Sequence, residues 1–120
     1  MDIISEHFRR YEFECRCTCK ADHIQPVFIA HLEDARRKYG HPMQITSGVR
    51  CPEHNAKVGG LPDSAHLTGW AADIGCTTSY SRYKLINALL AAGFKRIGVA
   101  KSFIHADLDP TKPAEFLWTY

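Results

Sequence analysis

The sequence predicts an α+β fold, a small antiparallel sheet with flanking helices. Two segments carry helical periodicity, "QPVFIAHLEDARRKYG" and "SYSRYKLINALLAAG". Several short segments alternate or run apolar like strands, and no βαβ rhythm repeats along the chain. Residues 1–120 read as one domain, near the modal size for an independent core.

The lead-in "SEHFRRYEFECRC" reads as irregular or as short turns. In the first helix Pro26 suits the first turn, and Gly40 closes the last. Val27, Ile29, Ala30, Leu32, Ala35 and Tyr39 supply much of its apolar face. "MQITSGVR" reads as a strand ending in a glycine turn that delivers Arg50. "CPEHNAKVGG" suits a short helix, "LPDSAHLTGW" a loop, and "AADIGC" a short buried strand. In the second long helix Ser79 or Ser81 is a candidate cap. Leu85, Ile86, Leu89 and Leu90 are expected to bury, and Gly93 to stop it. "RIGVA" and "SFIHADLD" form an antiparallel pair turning at Ala100-Lys101, and the aromatic tail "PAEFLWTY" packs back on the body.

Fifteen basic residues face thirteen acidic ones, a formal charge of +2. That balance is too mild to imply nucleic acid or an anionic membrane as a partner. No apolar run approaches the roughly 20 residues that cross a bilayer. The opening "MDIISEHFRRYEF" lacks a long apolar stretch, so no signal peptide is expected. A monomer is expected. The five cysteines include three in "CRCTC", at Cys15, Cys17 and Cys19, with Cys51 and Cys76 apart. They leave open free buried thiols, a disulfide from the cluster to Cys51, or a structural zinc with Cys51 and His54 as a C-x-x-H half-site.

Chemistry concentrates in "SAHLTGWAADIG", where His66 precedes Asp73 by seven residues. In "SFIHADLD", strand alternation puts Phe103, His105 and Asp107 on one face, with the apolar Ile104, Ala106 and Leu108 on the other. If that strand lies beside "AADIG", His105 meets His66 and Asp73. Two imidazoles and one carboxylate, with a fourth position for water, make a catalytic zinc set, whereas structural sites are more often closed by four protein ligands. His7, His23, His31 and His41 read as surface or satisfied core histidines. Asp73 taken alone suits a turn or cap.

"ITSGVRCPEHNAKVGGLPDSAHLTGWAADI" followed by "RIGVAKSFIHADLDP" resembles the zinc D-Ala-D-Ala carboxypeptidase and L-alanyl-D-glutamate endopeptidase superfamily, which includes phage endolysins and the amino-terminal domain of hedgehog proteins. The shared element is S-x-H-x₆-D with a later strand histidine, and the likeness spans about residues 8 to 120. "YEFECRCTC" resembles the start of a compact, mostly phage and prophage branch. The resemblance implies zinc on His66, Asp73 and His105. It implies that Arg50 binds substrate carboxylate or carbonyl groups and that Ser64 contacts substrate; a planar guanidinium fork suits a carboxylate. It implies hydrolysis of peptidoglycan stem peptides, of carboxypeptidase or endopeptidase type, by a protein made in the cytoplasm that acts on the cell wall after release or within a phage particle. The alternative is a non-enzymatic zinc-binding module of the same fold, as hedgehog proteins contain.

One departure stands out. Many relatives carry an acidic general base three residues before the last zinc histidine, and here that residue is Ser102; others carry a histidine two before it, and here that is Phe103. Asp107 is the best substitute as the base, or else a partner that orients His105. Asp63 and His54 are further candidates.

Overall fold

A computed structural model describes residues 2–120. Helix α1 spans Pro26–Tyr39, α2 Pro52–Lys57 and α3 Ser79–Ala91; strands are β1 Ile45–Ser47, β2 Ala71–Gly75, β3 Arg96–Val99, β4 Phe103–Asp107 and β5 Phe116–Thr119. The strands form one sheet in the order β1-β2-β4-β3-β5. All neighbours are antiparallel except β3 and β5, which run parallel. No helix among the described residues is long and apolar enough to cross a membrane.

Register gives the sheet two unlike faces. Ile74 pairs with Ile104, and Ala106 with both Ala72 and Ile97, so one face is apolar. It joins Phe28, Leu32, Leu85, Leu89 and Phe94 in the core. The other face carries Asp73 opposite His105, Gly98 opposite His105, and Arg96 opposite Asp107. Because side chains alternate, a one-residue slip of β4 would bury its polar set in the core and expose Ile104 and Ala106.

The helices differ from expectation in detail. Pro26 opens α1, and Gly40 closes it with its N–H on Arg36 O at 3.0 Å. The buried face of α1 uses Phe28 and Glu33, while Val27 and Ala30 are exposed. Glu33 is a tolerable interior residue because its carboxylate accepts from Ser5 Oγ at 2.6 Å, His7 N at 2.8 Å and His7 Nδ1 at 2.5 Å. Neither Ser79 nor Ser81 caps α3: Thr78 is the cap, its side chain accepting from Ser81 N at 3.1 Å. Leu90 is exposed, because the α3 face that packs on the core is formed by Leu85, Ala88 and Leu89.

The lead-in holds a single 3-10 turn, Arg10–Phe13, that buries Phe13. The expected loop "LPDSAHLTGW" contains another, Ala65–Thr68. The aromatic tail packs back as β5, an edge strand whose parallel pairing with β3 extends the antiparallel sheet that the sequence suggests. All five cysteines are free thiols, so the disulfide reading does not hold. Cys15, Cys17, Cys19 and Cys51 come together in one cluster. His54 meets Cys51 through its backbone N–H and is not in that ligand group, so the C-x-x-H half-site does not form.

Candidate metal centre

Three elements bring the metal-capable side chains together on the polar face. His66 stands in the 3-10 turn whose cap is Ser64: the serine side chain accepts from His66 N at 3.2 Å. Asp73 is the middle residue of β2, and His105 is its direct partner on β4. All three are buried. His66 Nε2 lies 3.2 Å from Asp73 Oδ1, and His105 Nδ1 lies 3.0 Å from the same oxygen.

The outward nitrogen of each ring is already engaged. His66 Nδ1 is 2.6 Å from Gly48 O. A carbonyl only accepts, so Nδ1 donates to it, which leaves Nε2 to face Asp73. A lone pair facing a buried carboxylate oxygen is repulsive unless a proton or a metal ion lies between them. His105 Nε2 meets Asp107 Oδ2 at 2.6 Å. That leaves Nδ1 for the centre, in the carboxylate–histidine–metal arrangement typical of zinc sites.

The donor chemistry and spacing fit zinc. Nitrogen and oxygen donors at ~2.0–2.1 Å from one tetrahedral ion stand roughly 3.3 Å apart. The two donor separations here are 3.2 and 3.0 Å. Electrostatics agree. Burial pushes the Asp73 carboxyl up, but hydrogen bonds and charge from His105 and His66 outweigh it and hold the group well below the usual carboxylate range. Burial pushes His105 down, but Asp107 first and then Asp73 reverse that and raise it.

Around this centre lies a cleft of about 560 Å³. Arg50, Ser64, Asp63, Phe103, Trp118 and Tyr120 are among the side chains that line it. Arg50 is not a surface ion pair: its Nη2 is 3.3 Å from Asp73 Oδ2, Nη1 donates to Asn55 Oδ1 at 3.2 Å, and Nε donates to Ser47 Oγ at 3.1 Å. Gly60 makes this possible, since a Cβ there would stand 2.1 Å from Asn55 Oδ1 and 3.0 Å from Arg50 Nη1. Ser102 is exposed and does not line the cleft, whereas Phe103 does.

Three contributors escaped the sequence reading. Arg96 Nε donates to Asp107 Oδ1 at 2.8 Å, with Asp109 N on the same oxygen at 3.1 Å. The Trp118 ring lies 5.3 Å from the His105 ring and 5.3 Å from the Arg96 guanidinium carbon. Asn55 props Arg50 and is itself anchored on Leu61 O at 2.8 Å. The alternation of "RIGVA" places Arg96 on the same face as Gly98, which was the available signal for Arg96; the other two needed the fold.

Fold and donor set together define a zinc metallopeptidase type of centre, two histidines and an acid on a small sheet. The Peptidase M15 family model matches residues 6–107, a span that holds Arg50, His66, Asp73 and His105, and the chain belongs to that family. Peptidases of this family are metal-dependent, typically on zinc. The comparison with curated proteins returned no match.

Proposed function

We propose that the chain is a zinc metallopeptidase that hydrolyses peptide bonds in peptidoglycan stem peptides, as a D-Ala-D-Ala carboxypeptidase or as an endopeptidase. The observation that carries the reading is the convergence of His66 Nε2, His105 Nδ1 and Asp73 Oδ1, with both outward ring nitrogens engaged, beside the Arg50 guanidinium. Zinc on such a set supplies Lewis acidity to a scissile carbonyl and lowers the pKa of a water toward ~7.

The chain's own residues do the remaining work. Arg50 spends one N–H on Asp73 and others on Asn55 and Ser47, which fixes the plane of the fork. Its further N–H donors have no protein partner among the described residues and suit a substrate carboxylate. Stem peptides carry free α-carboxylates, which an ordinary polypeptide carries only at its C-terminus. Ser64 lines the cleft within reach of substrate while its side chain caps the turn that holds His66.

Of the two readings of Asp107, the geometry supports the orienting one. Oδ2 is taken by His105, Oδ1 by Arg96 and Asp109 N, and the residue is 1% exposed. A carboxylate so occupied holds the imidazole in place and has little room to accept a proton from substrate water. Asp63 is left as the cleft carboxylate open to solvent. On this reading the protein acts at the cell wall, after release from the cytoplasm or within a phage particle.

The test is digestion of purified cell-wall sacculi by the full chain, with the released fragments read by mass spectrometry. Cleavage that stops on chelation, returns with zinc and is absent in His66→Ala supports the reading. Intact stem peptides with zinc bound would sink it and leave the non-enzymatic zinc-binding module.

A further inference from the structure

A second group of ligating atoms lies outside the cleft. Cys15, Cys17, Cys19 and Cys51 bring their sulfurs within 4.8 Å of one another. Cys17 Sγ is the hub, 3.4 Å from Cys15 Sγ, 3.1 Å from Cys19 Sγ and 3.6 Å from Cys51 Sγ. We propose that these four thiols bind a structural zinc ion, distinct from the one at His66, Asp73 and His105.

Spacing is the first argument. Sulfurs at ~2.3 Å from one tetrahedral zinc stand roughly 3.8 Å apart. The hub contacts of 3.1 to 3.6 Å need only a small expansion to admit the ion. A disulfide instead needs ~2.05 Å and pairs sulfurs two at a time. It does not account for four converging on one point.

Backbone hydrogen bonding is the second, independent argument. Each sulfur receives a main-chain N–H: Cys15 from Cys51 N at 3.4 Å, Cys17 from Cys19 N at 3.3 Å, Cys19 from Ala21 N at 3.5 Å, and Cys51 from His54 N at 3.4 Å. A neutral thiol is a weak acceptor, so amides aimed at every sulfur suit thiolates. Four thiolates repel unless a cation sits among them, and a sulfur-only tetrahedral set selects zinc or an iron–sulfur centre. Lys20 also holds a left-handed φ of 56°, uncommon for a residue with a side chain, in the turn that carries Ala21 N to Cys19. Binding is a simple exchange: Zn²⁺ enters and the thiol protons leave, with no change of oxidation state.

The site would work as a staple. It ties residues 15–19 to Cys51, which directly follows Arg50 and caps α2, the helix that carries Asn55. The same lead-in is joined to the strand exit by Val49 N on Phe13 O at 2.8 Å. A zinc there would immobilise the segment that aims Arg50 without touching the cleft.

The test is zinc content and cobalt(II) spectra of the full chain purified without oxygen. Wild type should hold about two zinc ions, His66→Ala/His105→Ala about one, and Cys17→Ser/Cys51→Ser about one. The cobalt form of the histidine variant should keep intense thiolate-to-metal charge-transfer bands, and the cysteine variant should lose them. The histidine variant decides the matter if the cysteine variant does not fold. Loss of metal from the cleft alone bears on the peptidase reading and leaves this site intact. A histidine variant free of zinc, with these four thiols reacting with a thiol reagent in the native protein or recovered as disulfides, would overturn the proposal.

Discussion

Asp107 Oδ2 holds His105 Nε2 at 2.6 Å, from two residues further along the same strand face. Arg96 fixes the other oxygen of that carboxylate. Asp107→Asn should therefore weaken zinc affinity at the cleft by ~10–100-fold, with turnover recovering in excess zinc. A base would behave in the opposite way: kcat down by ~10²–10⁴-fold with zinc still bound. Measuring kcat and zinc occupancy together on the variant separates the two.

Arg50→Lys keeps the charge but loses the fork and two of its props, Asn55 and Ser47. Hydrogen bonds to a charged group contribute ~1.5–3 kcal/mol, so kcat/KM on a stem peptide with a free carboxylate should fall about 10- to 150-fold. The amidated peptide should show little change. Equal losses on both substrates would mean that Arg50 does not read the carboxylate.

Gly98 faces the Trp118 indole so closely that a Cβ would stand 2.5 Å from Nε1 and 2.7 Å from Cε2. Gly98→Ala must push the indole off His105, and overpacking of this kind costs about 1–3 kcal/mol. Chemical denaturation should show that loss. A wild-type midpoint would mean that β5 yields freely and that Trp118 does not cover the centre.

Glu33 gives a pH prediction away from the metal. Burial raises its pKa, but hydrogen bonds from the Ser5 and His7 side chains and from His7 N outweigh it, so the folded value lies below the ordinary one. Stability from this group is full above the unfolded glutamate pKa of ~4.3 and is lost as pH falls through the folded value. The stability gap between wild type and Glu33→Gln should narrow as pH falls below about 4.3. A gap that stays flat to lower pH would show that the carboxylate is not the source.

Much of the centre was legible because its signals are local. The period-2 pattern of "SFIHADLD" separates Ile104 and Ala106 from His105 and Asp107 without reference to any other strand. Helix α1 announces itself with Pro26 and Gly40, whose backbone demands are local as well. The candidate ligand set His66, Asp73 and His105 follows once two short strands are assumed to be neighbours, and the structure makes them neighbours in register.

The rest depended on long-range pairing, which no local periodicity encodes. Whether Asp107 moves protons or orients His105 turns on Arg96 and Asp109, brought to it by a hairpin and a turn. The parallel return of β5 puts Trp118 against Gly98 and His105. The cysteines are the sharpest case. Their spacing left thiols, disulfide and zinc all open, because the path that carries Cys51 back to Cys15 and Cys17 runs through the core packing of the whole lead-in. Sequence determined the fold class and the candidate ligands His66, Asp73 and His105, since both follow from residue type and local period. Tertiary structure alone decided what each side chain touches, since contact is set by chain closure over many residues.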